Sequence, residues 1–220
     1  MRKVGIALLK WIKKHERALS FRGGYARDPY HALVLAFMLQ RTRAERVDQV
    51  YRIFLARYPT IERLAQADPE EVVRLFDELR LGMVRRGRFL VKAARAILER
   101  FDGQVPRRTE DLLSLPGVGP YIASVVRCAA YGEDDPIVDT AVLRVLRRLT
   151  GNPQLSLEEG KRVAQRLYPP GKALKLSIAL IDLAALVCRS RNPRCYECPI
   201  RKYCKTFKRL PQDSISSPQF

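Results

Sequence analysis

Between Asp28 and Gln40 the chain reads Asp-Pro-Tyr-His-Ala-Leu-Val-Leu-Ala-Phe-Met-Leu-Gln. Asp followed by Pro is a strong helix start. The acid can cap free N–H groups, and Pro suits the first helical position, where its missing N–H is no loss. The residues that follow are apolar on nearly every face: Ala32, Leu33, Val34, Leu35, Phe37, Met38 and Leu39. A surface helix shows one apolar stripe, whereas a helix apolar all round is enclosed by other elements. No apolar run in the chain reaches the roughly 18 residues needed to span a bilayer, so the enclosure has to be protein.

The rest of the chain supplies that enclosure. Residues 44–58 place Val47, Val50, Tyr51, Phe54, Leu55 and Tyr58 on one face at helical spacing. A short helix is expected near 60–66. Asp68-Pro69-Glu70-Glu71 starts the next, which runs to about Leu79. Further helices are expected over 85–101, from Thr109 to Leu115-Pro116, and over 120–131 with Gly132 behind it. Others follow over 138–149 ending at Gly151, 157–167 behind a Ser156/Glu159 capping box, and 172–187. Residues 3–19 make the first helix. No run alternates with period two, so the fold class is all-α. A chain of 220 residues is long enough for one domain or two small ones with a real core.

Charge narrows the partners. Lys and Arg number 41 against 23 Asp and Glu, a net charge of +18, and the pI is about 10.2. That imbalance points to nucleic acid first and an anionic membrane second. The basic N-terminus is amphipathic but broken by Lys10, Lys13 and Lys14, with no small-residue cleavage site, so it does not read as a signal peptide. The expectation is a soluble protein of the cytoplasm, associated with the nucleoid and not with a membrane. The scarcity of Asn (Asn152 and Asn192 only) hints at a hot habitat.

Four of the five cysteines form an array, Cys188-x6-Cys195-x2-Cys198-x5-Cys204. In an intracellular chain such a cluster indicates metal rather than disulfides. Four thiolates can enclose one zinc or one [4Fe–4S] cube. Only one pair is tightly spaced, which favours the larger cube over zinc or free thiols. Arg189, Arg191, Arg194, Arg201 and Lys202 in the same loop suggest a structural clip that presents a basic surface. The fifth cysteine, Cys128, is expected to pack as a small hydrophobe.

Two further features carry chemistry. Leu115-Pro116-Gly117-Val118-Gly119 joins two helical patterns. Its glycines permit tight turn geometry, and N–H groups at the start of the following helix can face an anion. In a chain of this charge the turn is a candidate helix-hairpin-helix, a device that holds phosphates without reading sequence. About twenty residues on, Asp139 sits between Ile137-Val138 and Ala141-Val142. It reads both as a helix N-cap and as a carboxylate kept ionised in an apolar surround by the helix dipole.

Taken together, the hairpin, Val138-Asp139-Thr140 and the cysteine array resemble the endonuclease III / MutY superfamily of DNA base-excision glycosylases, over about residues 25–204. The resemblance is greatest to the archaeal thymine glycosylases of T:G mismatches. It implies two helical domains. A six-helix barrel with the helix-hairpin-helix would span 25–136. A discontinuous [4Fe–4S] domain would be made of 1–24 and 137–207, with a flexible tail over 208–220. The active site would lie in the cleft between them. The partner would be double-stranded DNA with a mismatched or damaged base flipped out of the stack, bound by a monomer.

The resemblance also implies roles. Asp139 matches the catalytic acid. At the position where bifunctional relatives carry a Schiff-base Lys, this chain has Tyr121, which implies a monofunctional enzyme that uses water and leaves an abasic site. The phosphates would be held by Pro116, Gly117, Val118 and Gly119. Arg41, beside the DNA-binding Gln40, would supply a polar wedge and Leu81 an apolar one for the hole left by the flipped base. Ala36 stands where MutY has a Glu that protonates adenine. Thymine or uracil opposite guanine is therefore the expected substrate. An adenine glycosylase acting on A:G or A:8-oxoguanine, or a non-enzymatic binder of damaged DNA, are the alternatives.

Overall fold

The computed structural model describes residues 1–82 and 85–209, apart from the side chain of Tyr25. All regular secondary structure in these residues is helical, in agreement with the all-α expectation. The expected flexible tail lies outside the described residues from 210 onward. Among the described residues no helix is long and apolar enough to cross a membrane.

The chain divides into two compact units. A terminal unit joins Met1–Arg17 to Asp134–Phe220, and a middle unit comprises Ala18–Glu133. Residues 18–24 thus group with the middle unit, not with the N-terminal helix as expected. Asp48 explains this: its Oδ1 accepts from the Ser20 hydroxyl at 2.9 Å and the Phe21 N–H at 3.2 Å. The Phe21 ring also meets Tyr51 edge-on, with centroids 6.1 Å apart.

The first helix, α1 (Arg2–His15), belongs to the terminal unit. It stops short of the expected residue 19. Glu16 turns extended, and the Arg17 N–H is donated to Asp182 at 2.9 Å instead of to the helix. The middle unit is built on α2 (Pro29–Leu39), whose residues Tyr30 and Ala32 to Met38 are buried. Asp28 caps it by accepting the His31 N–H at 2.9 Å. Against α2 pack α3 (Ala44–Arg57), α6 (Arg85–Phe101) and α8 (Pro120–Val125), while α4 (Ile61–Ala65) and α5 (Pro69–Glu78) pack on α6 and α7 (Thr109–Leu113) on α8. α8 widens into a π turn over Val126–Ala130, where an unbroken helix was expected. Ser124 donates its hydroxyl to the Pro120 carbonyl at 2.8 Å, a side-chain bond of the kind that bends helices. Cys128 lies in this turn, buried.

The terminal unit is completed by α9 (Thr140–Thr150), α10 (Leu157–Gln165), α11 (Ala173–Leu186) and α12 (Lys205–Lys208). α11 is its central helix and packs against α1 and α9. The Ser156/Glu159 capping box at α10 is formed, with both bonds present. Gly5 lets α1 approach the end of α10, since a Cβ there would lie 1.6 Å from the Leu167 carbonyl oxygen. Inside α11, Asp182 is wholly buried and accepts from the Arg17 backbone and from Arg17 Nε at 2.7 Å. This pair fastens the N-terminal segment to the C-terminal helices. Asp182→Ala takes the acceptor from the Arg17 backbone N–H and from its part-buried guanidinium, so it should lower stability by about 2 kcal/mol in denaturant unfolding.

Candidate functional site

The hairpin forms between α7 and α8. The Val118 N–H donates to the Leu115 carbonyl at 3.1 Å, which closes the turn. The two glycines do different work. Gly117 has φ +76, and a Cβ there would lie 2.6 Å from Phe89 Cβ and 3.2 Å from Phe37 Cε1. It lets the turn press onto α2 and α6. Gly119 is extended, and nothing lies within 4 Å of where its Cβ would be. No side chain caps the first turn of α8 that it precedes. Val118 is buried, Pro116 half-buried and Gly117 exposed, so this turn offers backbone rather than side chain. Tyr121, two residues beyond Gly119, is half-buried.

A second grouping forms at the C-terminal end of α2. A helix leaves its last four carbonyls without partners, and here burial denies them water. The guanidinium of Arg86, from α6, fills that place and is only 4% exposed. Its Nη1 donates to the carbonyls of Phe37 at 2.9 Å, Met38 at 3.3 Å and Gln40. Its Nη2 donates to the carbonyls of Leu81 and of Gly82 at 2.8 Å, and to Thr42 Oγ1 at 3.2 Å. Burial pulls the Arg86 pKa below the usual guanidinium value. Thr42 closes the arrangement by donating to the Leu81 carbonyl at 2.8 Å.

Arg86 therefore brings together two segments singled out separately in the sequence, Gln40-Arg41-Thr42 and Leu79-Arg80-Leu81-Gly82. Arg41 (φ +55), Arg80 (φ +51) and Gly82 (φ +62) take left-handed backbone. Gln40 is half-buried and the Arg41 side chain exposed. Leu81 departs from expectation, being 2% exposed. Its backbone is tied down and its side chain is buried among the described residues. Arg86 itself was missed. Its signal was present: a charged residue at the helical spacing of the buried stripe Leu90, Ala93, Ala94 and Ile97.

Asp139 is in the terminal unit and Tyr121 with the hairpin in the middle unit. Asp139 is the N-cap of α9. Its Oδ1 accepts the Val142 N–H at 2.7 Å, while Oδ2 has no partner among the described residues. Pro136, Ile137 and Val138 before it are buried, and Asp139 is half-buried. The Ile137 N–H donates to the buried Ser177 hydroxyl at 2.9 Å, which pins this segment to α11. One carboxylate oxygen thus serves the fold and the other does not.

The four clustered cysteines follow α11. Two 3-10 turns, Cys195–Glu197 and Arg201–Tyr203, fold the segment back. Arg148 of α9 meets both ends: its Nη1 lies 3.4 Å from Cys188 Sγ, and its carbonyl accepts from Cys204 Sγ at 3.3 Å. Burial, then the charges of the neighbouring cysteines, push Cys198 up to about 11 against a backbone N–H that pulls it down. Cys195 is raised by burial and by Cys188 and Cys204. The sulfurs are thus close enough to oppose one another's ionisation. Among the described residues, however, no three Cys, His, Asp or Glu side chains converge tightly enough to hold a metal ion as they stand.

Comparison with known proteins adds to this geometry. The family model described as "HhH-GPD superfamily base excision DNA repair protein" matches residues 34–170. A thymine-DNA glycosylase of Aeropyrum pernix is 35% identical over 210 residues, covering 90% of this chain and 91% of the relative. An adenine DNA glycosylase of Mycolicibacterium smegmatis is 37% identical, covering 89% of this chain and 67% of the relative. The structure of a thermostable thymine-DNA glycosylase superimposes with a TM-score of 0.87 at 30% identity, covering 95% of this chain and 97% of that one.

The clamp at Arg86 has a measurable consequence. Arg86→Met removes the guanidinium from five carbonyls, of which Leu81 keeps the Thr42 hydroxyl, and should cost about 3 kcal/mol in denaturant unfolding. Amide exchange should rise first at residues 40–42 and 79–82. Arg86→Lys keeps the charge but cannot fork to both segments, so it should fall between the two.

Proposed function

This chain belongs to the HhH-GPD superfamily of base excision DNA repair proteins, and from that premise we propose that it is a monofunctional DNA glycosylase removing thymine or uracil mispaired with guanine. That it is a DNA glycosylase, cleaving N-glycosidic bonds, follows from its relatives. The finer reading rests above all on Asp139, a carboxylate with one oxygen fixed by a helix and the other without a protein partner among the described residues.

The chemistry assigned to these residues is simple. As the bond from C1′ to the base breaks, the electron pair leaves with the base and positive charge grows on the deoxyribose. A carboxylate held beside the sugar stabilises that charge. Water then adds to C1′, and Asp139 accepts its proton as general base. The products are the free base and an abasic site. Tyr121 carries a phenol, which cannot form the imine needed for strand cleavage by a lyase. We assign it to the base pocket.

Ala36 bears on the choice of base. It is wholly buried in α2 and carries no proton to lend. Uracil and thymine can depart as anions, whereas adenine needs protonation. The adenine glycosylase reading draws on the 37% identity to such an enzyme, but lacks an acid at this position. Binding is assigned to the backbone around Gly119, where no side chain obstructs a phosphate, and to Gln40 and Arg41 on the clamped loop. The net charge of +18 favours a nucleic-acid partner.

For the cysteine segment we propose a [4Fe–4S] cube on Cys188, Cys195, Cys198 and Cys204. The donor set fits: four thiols lie in one short segment, and Arg148 reaches the sulfurs at both of its ends. Once bound, the cube would supply the positive charge that lets four thiolates coexist and would hold the loop as a clip. The brown protein should absorb near 400 nm, and removal of iron should abolish that band and lower the melting temperature. A colourless zinc protein would refute the cube.

Duplexes carrying T:G, U:G, A:G, A:8-oxoguanine or an oxidised pyrimidine test the activity. Product should form on T:G and U:G, with strand breaks only after alkali. Breaks without alkali would refute the monofunctional assignment, and activity on adenine alone would refute the pyrimidine one. Asp139→Asn should lower base release by about 10²-fold or more while duplex binding persists, since Asn still caps a helix.

A further inference from the structure

Arg144, Arg147, Arg148 and Arg209 line one cavity of about 460 Å³, with Gly151, Pro153 and Thr206. It lies toward the end of α9 opposite Asp139, roughly 15 Å along the helix at 1.5 Å per residue. Among the described residues no carboxylate lines it.

Guanidiniums that face one space repel one another, and nearby acids ordinarily relieve this. The cavity beside Arg57 and Arg63 is of that ordinary kind: Asp68 and Glu71 line it, and Arg57 pairs with Glu71. Among the described residues, none of the four arginines on the α9 cavity has an acidic partner.

Two of the four are committed to the cysteine segment. Arg144 donates to the carbonyls of Cys188 and Ala184, each at 3.1 Å. Arg148 donates to those of Arg189 at 2.7 Å and Ser190 at 3.1 Å, and reaches Cys188 Sγ. An anionic cluster there would balance these two. It does not account for the others. Arg147 uses only its Nε, on the Leu155 carbonyl at 3.0 Å. The exposed Arg209 guanidinium has no protein partner among the described residues. Its Nη1 would lie 3.6 Å from a Cβ on Gly151, and Lys205 Cβ would lie 2.9 Å from the same point. Guanidinium forks beside a hydroxyl suit the oxygens of a phosphate.

We propose that this cavity is a phosphate-binding site held by Arg147 and Arg209, with the Thr206 hydroxyl beside them. The phosphate belongs either to a nucleic-acid backbone or to a small phosphorylated molecule. The site stands apart from the excision chemistry assigned above.

The test compares native protein with R147Q/R209Q and with R57Q/R63Q, which loses the same charge from the compensated cavity. Binding of undamaged duplex is followed by anisotropy across a salt series, and binding of pyrophosphate by calorimetry. If the site holds backbone phosphates, the slope of log K against log salt falls by about 0.9 to 1.8 in R147Q/R209Q and not in the control. If it holds a small molecule, the slope stays and pyrophosphate binding weakens at least about tenfold. Equal changes in both variants, or none in either, would overturn the proposal. If R147Q/R209Q does not fold, R209Q against R57Q decides by the same comparison. Neither probe requires base release, so failure of the excision reading would show separately.

Discussion

The carbonyls at the end of an α-helix have no partners within it, and in the middle unit that deficit is deepest at α2. This helix is buried nearly end to end, so water is not at hand where it stops. One guanidinium meets the need for Phe37, Met38 and Gln40, and with its other nitrogen for Leu81 and Gly82. A planar fork can serve two segments at once where an ammonium could not. The left-handed residues Arg41 and Arg80 lie in the two clamped segments. Non-glycine residues hold such backbone only where the surroundings over-determine it. Arg86 provides that determination, and the loops that carry Gln40 and Arg41 depend on it.

What could be read from the sequence was what local chemistry decides. The Asp28-Pro29 start, the Asp139 cap and the Ser156/Glu159 box are bonds within a few residues, and each is formed. The enclosed α2 followed from composition alone. The departures are tertiary. α1 stops at His15 because Asp182, far along the chain, takes the Arg17 N–H. Residues 18–24 change unit because Asp48 holds Ser20 and Phe21. Leu81 is held inside because its carbonyl meets a guanidinium whose other partners include a segment some forty residues earlier. No periodicity reports such bonds. The one available clue to Arg86 was a charge in an otherwise apolar stripe, and such a charge needs partners that the sequence does not name.

The hairpin shows how one short motif divides its labour. Gly117 is required by the fold, through its positive φ and the closeness of Phe89 and Phe37. Gly119 is required by neither, since its backbone is extended and its surroundings are open. A glycine with no steric reason inside the protein has a reason outside it when a partner must come close to the backbone. The same division runs through Asp139, where one oxygen holds Val142 and the other does not serve the fold. In both places the fold uses one part of the residue and leaves another part without a task inside the protein.

The arginines divide in a comparable way. In the middle unit several are paired with acids: Arg57 with Glu71, Arg88 with Glu70, Arg107 with Glu133. Along α9 they donate to carbonyls, Arg144 to Cys188 and Ala184, Arg147 to Leu155, Arg148 to Arg189 and Ser190. Both arrangements fix the side chain, but they differ electrostatically. An acid cancels the charge, whereas a carbonyl orients the guanidinium and leaves its full charge in place. The α9 charges held this way are anchored at set positions instead of waving on flexible stems. Ordering those side chains beforehand removes an entropic cost that binding a polyanion would otherwise carry. For a protein that must hold a regular line of phosphates, the carbonyl-anchored arginine is the more useful of the two.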